Sequence, residues 1–209
     1  NWIALMGWSY DDKTEFFTLD DLIEKFSLEK LNPSPAAINF SKLDHFNGLH
    51  IRHLEVADFA QRIRPYFEKA GLEVDEERLV PVAAAIQTRT KKLTEVVEMA
   101  GFFFREEVAL APERIVSRKL TADQAAKAAG KIIEMFENLE EIDQEHAEGP
   151  LRDLAGEMEL KAGQLFGLLR EALTGQRVSP PIFDVTTILG KKTTLERLDN
   201  VREALKKYP

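Results

Sequence analysis

Apolar residues recur at intervals of three and four along most of the chain, and strict alternation is scarce, so the pattern predicts helices and few strands. Leu19, Leu22, Ile23 and Phe26 follow the box Thr18-Leu19-Asp20-Asp21, in which a hydroxyl and a carboxylate three residues apart satisfy orphaned helix-start N–H groups. Asn32-Pro33-Ser34-Pro35 ends that helix. Ser41-Lys42-Leu43-Asp44 opens a second, carrying Leu43, Phe46 and His50. A third is expected near 55–70, ended by Gly71 and kinked at Arg64-Pro65. Asp75 begins a short helix, and a longer one is predicted over Val82–Phe104 with Gly101 as a possible interruption. Residues 105–120 read as a connector. Thr121-Ala122-Asp123-Gln124 caps a helix bearing Ala125, Ala129, Ile132, Ile133 and Phe136. Glu148-Gly149-Pro150 reads as a break before one long helix marked by Leu151, Leu154, Met158, Leu165, Leu169 and Leu173 and closed by Gly175. Ser179-Pro180-Pro181 is a stiff turn, with Pro181 expected at the first helical position. A short helix to Leu189 stops at Gly190, and Thr193 with Glu196 caps the last, bearing Leu195, Leu198, Val201 and Leu205. The expectation is an all-α chain divided near His53/Leu54 and near Val108.

Composition narrows the class. The 209 residues are 44% hydrophobic and 31% charged, a globular mixture. Cysteine is absent, which removes disulfides, cysteine nucleophiles and thiolate metal sites together. No apolar run approaches the ~20 residues that span a bilayer, and no signal peptide is expected from the opening Asn1-Trp2-Ile3-Ala4-Leu5-Met6. The net charge of −8 argues against indiscriminate coating of nucleic acid. That excess sits in one segment, Ile132–Leu169, with ten acids and two bases, whereas Arg170–Pro209 holds eight bases and five acids. Smaller basic clusters stand at Arg89, Lys91 and Lys92, and at Arg114, Arg118 and Lys119. Basic faces on an acidic protein suit a negative partner that must be chosen. Ordinary solvated helix faces account for the same charges.

Catalytic chemistry finds little support. His45, His50 and His53 are close, but Asp44 alone offers a carboxylate at matching spacing and the HExxH spacing is absent, so structural or solvent-facing roles are expected for them. GxGxxG, GxxxxGK[ST] and GxSxG are all missing. Asp20-Asp21 stands where a helix start favours negative charge. The residue chemistry reads as a helical binding module, with no catalytic or metal residues expected.

Two ordered sets of residues carry a resemblance. The first is Ala4-Leu5-Met6-Gly7-Trp8-Ser9, Glu15-Phe16-Phe17-Thr18-Leu19 and Lys42-Leu43-Asp44-His45-Phe46-Asn47-Gly48-Leu49-His50-Ile51-Arg52. The second is Leu169-Arg170-Glu171-Ala172-Leu173-Thr174-Gly175, Ser179-Pro180-Pro181-Ile182-Phe183 and Ile188-Leu189-Gly190-Lys191. In this order they resemble the C-terminal part of bacterial-type glutamyl-tRNA synthetases, class I aminoacyl-tRNA synthetases. The departures are His45 where Trp is common, His50 where Tyr is common, and Pro181 where Gly is usual. The family's HIGH-type and KMSKS-type motifs do not occur in this chain.

The resemblance implies three parts: residues 1–54 as the end of a stem-contact fold, 55–108 as a first helical anticodon-binding domain and 109–209 as a second. It implies that Arg89 reads the last anticodon base and Arg170 contacts the first. Ser179, Pro180 and Ile182 would form the turn that receives the bases. The charge of Lys91 and Lys92, beside Arg89, is expected to meet the tRNA backbone. It further implies glutamate tRNA as partner, with glutamine tRNA left open. An N-terminal catalytic domain supplying the ATP and Mg sites would lie outside this chain, which would be inactive alone. A cytoplasmic monomer away from any membrane is expected. The alternative is a free-standing helical protein-interaction or regulatory paralogue with no aminoacylation role.

Overall fold

A computed structural model describes residues 1–33, 37–116 and 120–209. The expected break at Ser34-Pro35 and the cluster members Arg118 and Lys119 lie outside the described residues. Those residues form α-helices and 3-10 turns; their only extended pairing is an isolated bridge between Trp8 and Leu31. The chain is all-α.

The first part holds α1 (Trp2–Leu5), α2 (Leu19–Lys25) and α3 (Phe40–Arg52). The Thr18–Asp21 capping box forms as predicted. α3 starts earlier than Ser41, because the Asn39 side chain accepts from the Ser41 and Lys42 backbone N–H groups. Trp8 and Phe17 are buried in a small aromatic cluster, with ring centroids 5.5 Å apart. Phe16 lies flat on His53 at 3.6 Å and tilted against His50 at 4.8 Å. His45 pairs with Glu15, and His50 with the Asn1 side chain. Burial chiefly holds the His50 imidazole below its usual range. Each histidine thus has its own partner.

α4 (Val56–Lys69), α5 (Glu76–Gln87) and α6 (Val96–Ala100) pack on one another around Phe59, Ile63, Phe67, Leu79 and Ile86. The predicted division near Val82 is absent: α5 runs through Pro81 and ends at Gln87. Beyond it the expected long helix to Phe104 is replaced by a turn over 88–92, a 3-10 turn (Leu93–Glu95), α6 and a second 3-10 turn (Gly101–Phe104). The connector holds the short α7 (Pro112–Val116).

α8 (Ala122–Glu137) has the predicted Thr121–Gln124 box. The break expected at Gly149-Pro150 is not there. α9 (Gln144–Glu157) starts three residues after the Asn138–Glu141 region, with Asp143 accepting from the His146 N–H, and runs through Pro150. The chain breaks instead at Met158–Lys161, where Glu159 takes φ 56°, before α10 (Ala162–Thr174). Pro65, Pro81 and Pro150 all sit on exposed helix faces, where the carbonyl each one frees can bond to water. α11 (Ile182–Lys206) is broken at Gly190, with φ 78° and ψ 162°. Pro181 is the residue before the first helical position, not that position itself.

α11 packs most extensively on α8 and also on α10, and the buried apolar residues from Ile51 to Leu205 form one continuous cluster. Among its polar ties, Lys191 donates to the Glu137 and Leu139 carbonyls at 2.8 and 2.6 Å and so closes the end of α8.

Candidate nucleic-acid interface

Two helix ends meet at one point of the surface. At the end of α5 the backbone N–H groups of Arg89 and Thr90 both bond to the Ile86 carbonyl at 3.0 Å, and the buried Thr90 hydroxyl donates to it at 2.9 Å. This tight turn stops the helix and leaves Arg89 on an irregular segment. At the end of α10, Gly175 adopts φ 66° and redirects the chain toward Pro181. A Cβ at Gly175 would stand 2.9 Å from the Ala109 carbonyl oxygen, so both the turn and the close approach call for glycine. Arg114 donates to the Gly175 carbonyl at 2.7 Å, and Gln176 donates to the Glu98 carbonyl at 2.6 Å. The turn over 175–181 is therefore held from α7 and from α6.

The two ends converge on Ser179. Arg89 Nη1 donates to the Ser179 carbonyl oxygen at 2.9 Å, across 90 residues of chain. Arg170 Nη1 reaches the same oxygen at 3.4 Å, the Pro180 carbonyl at 3.1 Å and the Ser179 hydroxyl. Two guanidinium groups are thus held side by side by backbone acceptors. Among the described residues Arg89 makes no carboxylate pair. A guanidinium has five donors, so a single carbonyl leaves most of the Arg89 fork available.

The remaining sequence candidates separate. Ser179 is 6% exposed, and Pro180 is buried as well. Ile182 is 5% exposed and packs into the core, so its side chain is not open at the surface. Lys91 is exposed beside Arg89. Lys92 instead reaches Asp44 at 3.0 Å and Glu95 at 3.4 Å, and the Asp44 hydrogen bond is the main cause of its raised ammonium pKa.

Other residues at this place had no sequence signal. Arg177 and Val178 form the exposed tip of the turn over 175–181, Val178 being 80% exposed. Across the other side, Asp44, Asn47 and Gly48 of α3 lie against the turn over 88–92. Only the i, i+3, i+4 spacing of these three, one helix face, could have suggested a shared contact. The site offers donors, carbonyl acceptors and positive charge. Among the described residues no group of three His, Asp or Glu is placed to hold a metal ion. No described helix is long and apolar enough to cross a membrane.

This chain matches the anticodon binding domain family over residues 58–202. It belongs to that family. The anticodon-binding-family chain is 39% identical over its whole length to a glutamate–tRNA ligase of Dehalococcoides mccartyi, covering 44% of it. It is 41% identical over 98% of its length to one from Roseiflexus sp. (strain RS-1), covering 42% of that protein. Its fold superposes on the crystal structure of a glutamate tRNA ligase from Elizabethkingia meningosepticum with a TM-score of 0.82 at 22% identity, covering 97% of this chain and 40% of that one. The chain spans less than half the length of the curated relatives it matches. The resemblance drawn from its ordered motifs, and the all-α fold expected of it, both hold.

Proposed function

We propose that this chain recognises the anticodon of glutamate tRNA as the C-terminal region of a cytoplasmic glutamate–tRNA ligase, which joins glutamate to its tRNA with ATP. The observation that carries the reading is the convergence of Arg89 and Arg170 on the Ser179 carbonyl. Anticodon bases are unstacked in a loop, and their edges are accessible to planar donors held in a fixed place. In this reading Arg89 addresses the last anticodon base and Arg170 the first. Ser179 and Pro180 supply the turn, and Ile182 braces it from the core. Lys91 meets a phosphate, with Lys92 a weaker contact.

ATP and magnesium belong to the part of the ligase that this chain does not span. The side chains here do not fit them, because no phosphate-cradling glycine loop or three-residue metal cluster is present among the described residues. The reading assigns 1–54 to the stem-contact fold and 55–108 and 109–209 to the two helical domains. It takes a monomer as the working state. Ile3, Leu19, Ile23, Leu28 and Phe40 are 72–77% exposed, a density of bare apolar side chains that supports a covering catalytic domain.

The test is the affinity of the 209-residue chain for glutamate tRNA and for the same tRNA with single anticodon replacements. Arg89→Gln should weaken binding and relax discrimination at one base by about 1–3 kcal/mol. Binding that ignores the anticodon would turn the reading toward a free-standing interaction or regulatory paralogue.

A further inference from the structure

One face of α3 grips the segment that presents Arg89. The Asn47 Nδ2 group donates to the Lys91 carbonyl oxygen. Gly48 lies so close that a Cβ would stand 3.4 Å from the Thr90 carbonyl oxygen and 3.6 Å from Lys91 Cα. Asp44 takes the Lys92 ammonium at 3.0 Å. One turn further on, the Ile51 carbonyl at the end of α3 and the Leu54 carbonyl just beyond it accept from Gln87 Nε2 at 2.9 and 2.8 Å. Residues 87, 91 and 92 are each bonded from one stretch, 44–54, with Gly48 close against the 90–91 backbone, and Arg89 stands between them.

The turn needs this help. Its tight local bonds are those of Arg89 and Thr90 to the Ile86 carbonyl, and after these it has left the helix. A guanidinium that distinguishes base edges must be placed to within about half an ångström, which exposed turns do not achieve alone. We infer that Asn47 and Gly48 are positioning residues for Arg89, so that selectivity at one anticodon base depends on α3. This helix lies before residue 58, outside the stretch that matches the anticodon binding domain family. The inference rests on the reading of Arg89 given above and adds where its precision comes from.

Asn47 is exposed, so its loss leaves the core intact. The experiment measures dissociation constants of the 209-residue chain for glutamate and glutamine tRNA in wild type, Asn47→Ala, Asn47→Leu, Gly48→Leu and Arg89→Gln, and in the Asn47→Ala/Arg89→Gln double variant. Thermal unfolding shows that each one is folded. Arg89→Gln should cut the preference for glutamate tRNA about tenfold. Asn47→Ala and Asn47→Leu should cut it about three- to fivefold at unchanged melting temperature, and Gly48→Leu, which wedges the turn away, by at least as much. In the Arg89→Gln background Asn47→Ala should leave the preference unaltered, which a merely stabilising role does not predict. The Arg89 Nε–H NMR signal should move in Asn47→Ala without RNA present. A wild type that discriminates while Asn47→Ala discriminates equally well overturns the positioning role alone. A wild type whose affinity for glutamate tRNA does not change when the last anticodon base is replaced overturns the reading of Arg89 and this inference with it.

Discussion

Arg197, on α11, donates from Nη2 to the Phe102 carbonyl oxygen at 2.9 Å, joining residues 95 positions apart. The same guanidinium takes the Arg105 carbonyl at 2.7 Å and the Leu173 carbonyl at 2.5 Å, and the residue is only 3% exposed. It ties the 3-10 turn after α6 to the end of α10, just ahead of the Gly175 turn. Burial, with a smaller effect from Arg78, pushes its pKa down to about 10, so it stays charged at neutral pH. Hydrogen bonds to charged groups contribute about 1.5–3 kcal/mol each in favourable cases, and desolvation of the cation offsets part of three of them. Arg197→Met should therefore lower stability by about 2–4 kcal/mol in urea unfolding, and Arg197→Lys by less. An Arg197→Met chain as stable as wild type would show that desolvation cancels the three bonds.

How much of this was legible depends on range. The boxes at Thr18 and Thr121 and the closing glycines at 71, 175 and 190 are local devices, and each one is found where the chain pattern puts it. Pro150 misled for a non-local reason: Ala147, Leu151, Leu154 and Ala155 bury one face of α9 and keep it helical through the proline. The chain pattern places Arg89 within a helix, whereas the Thr90 hydroxyl and the Ile86 carbonyl end α5 just before it. The prolines mark Ser179 as part of a turn, but its place in the site comes only from the family motifs, because its carbonyl is recognised by side chains 9 and 90 residues away. Arg197 carries a sequence signal of its own. It falls on the stripe Thr194, Leu198, Val201 and Leu205, where a charge must find buried acceptors.

Gly175 tests the turn from the other side. Its φ of 66° disfavours any side chain, and an added Cβ meets the Ala109 carbonyl oxygen, a backbone atom that cannot swing aside. Gly175→Ala should cost about 1–3 kcal/mol by chemical denaturation. Because Ser179 follows on the same turn, the variant should also weaken glutamate tRNA binding under conditions where it remains folded. Unchanged stability would mean that the Ala109 segment yields.

The start of α9 carries a titrating pair. Asp143 accepts from the His146 backbone N–H at 2.9 Å and from the imidazole Nδ1 at 2.8 Å. These bonds, the backbone one foremost, hold the Asp143 carboxyl below its ordinary value, and the Asp143 hydrogen bond chiefly raises His146. The signs are opposite. The carboxylate's contribution is present above the usual Asp range and fades as pH falls through its lowered pKa. The imidazolium's is present below the usual His range of about 6.5 and fades as pH rises through its raised pKa. The helix start should be best held between those ranges. In an NMR titration His146 should have a midpoint above 6.5, returning toward 6.5 in Asp143→Asn. Equal midpoints would exclude the pair in solution.

Lys91 and Lys92 are neighbours with different surroundings, and that difference predicts unequal effects on tRNA binding. A lysine that neutralises a phosphate releases counterions, and each such contact steepens the salt dependence by about 0.7 for single-stranded RNA. Lys91 is exposed and enters no ion pair among the described residues, whereas Lys92 already faces Asp44 and Glu95. To meet a phosphate, Lys92 must leave two carboxylates, and those would then stand unpaired near a negative strand. Lys91→Ala should thus reduce the slope of log affinity against log salt by about 0.7, with the same effect on every anticodon. Lys92→Ala should change the slope less. It should also loosen the hold of α3 on the turn, so its effect should fall on discrimination between tRNAs more than on salt dependence. A Lys92→Ala variant with the larger slope change would mean that its acidic partners release it when RNA binds.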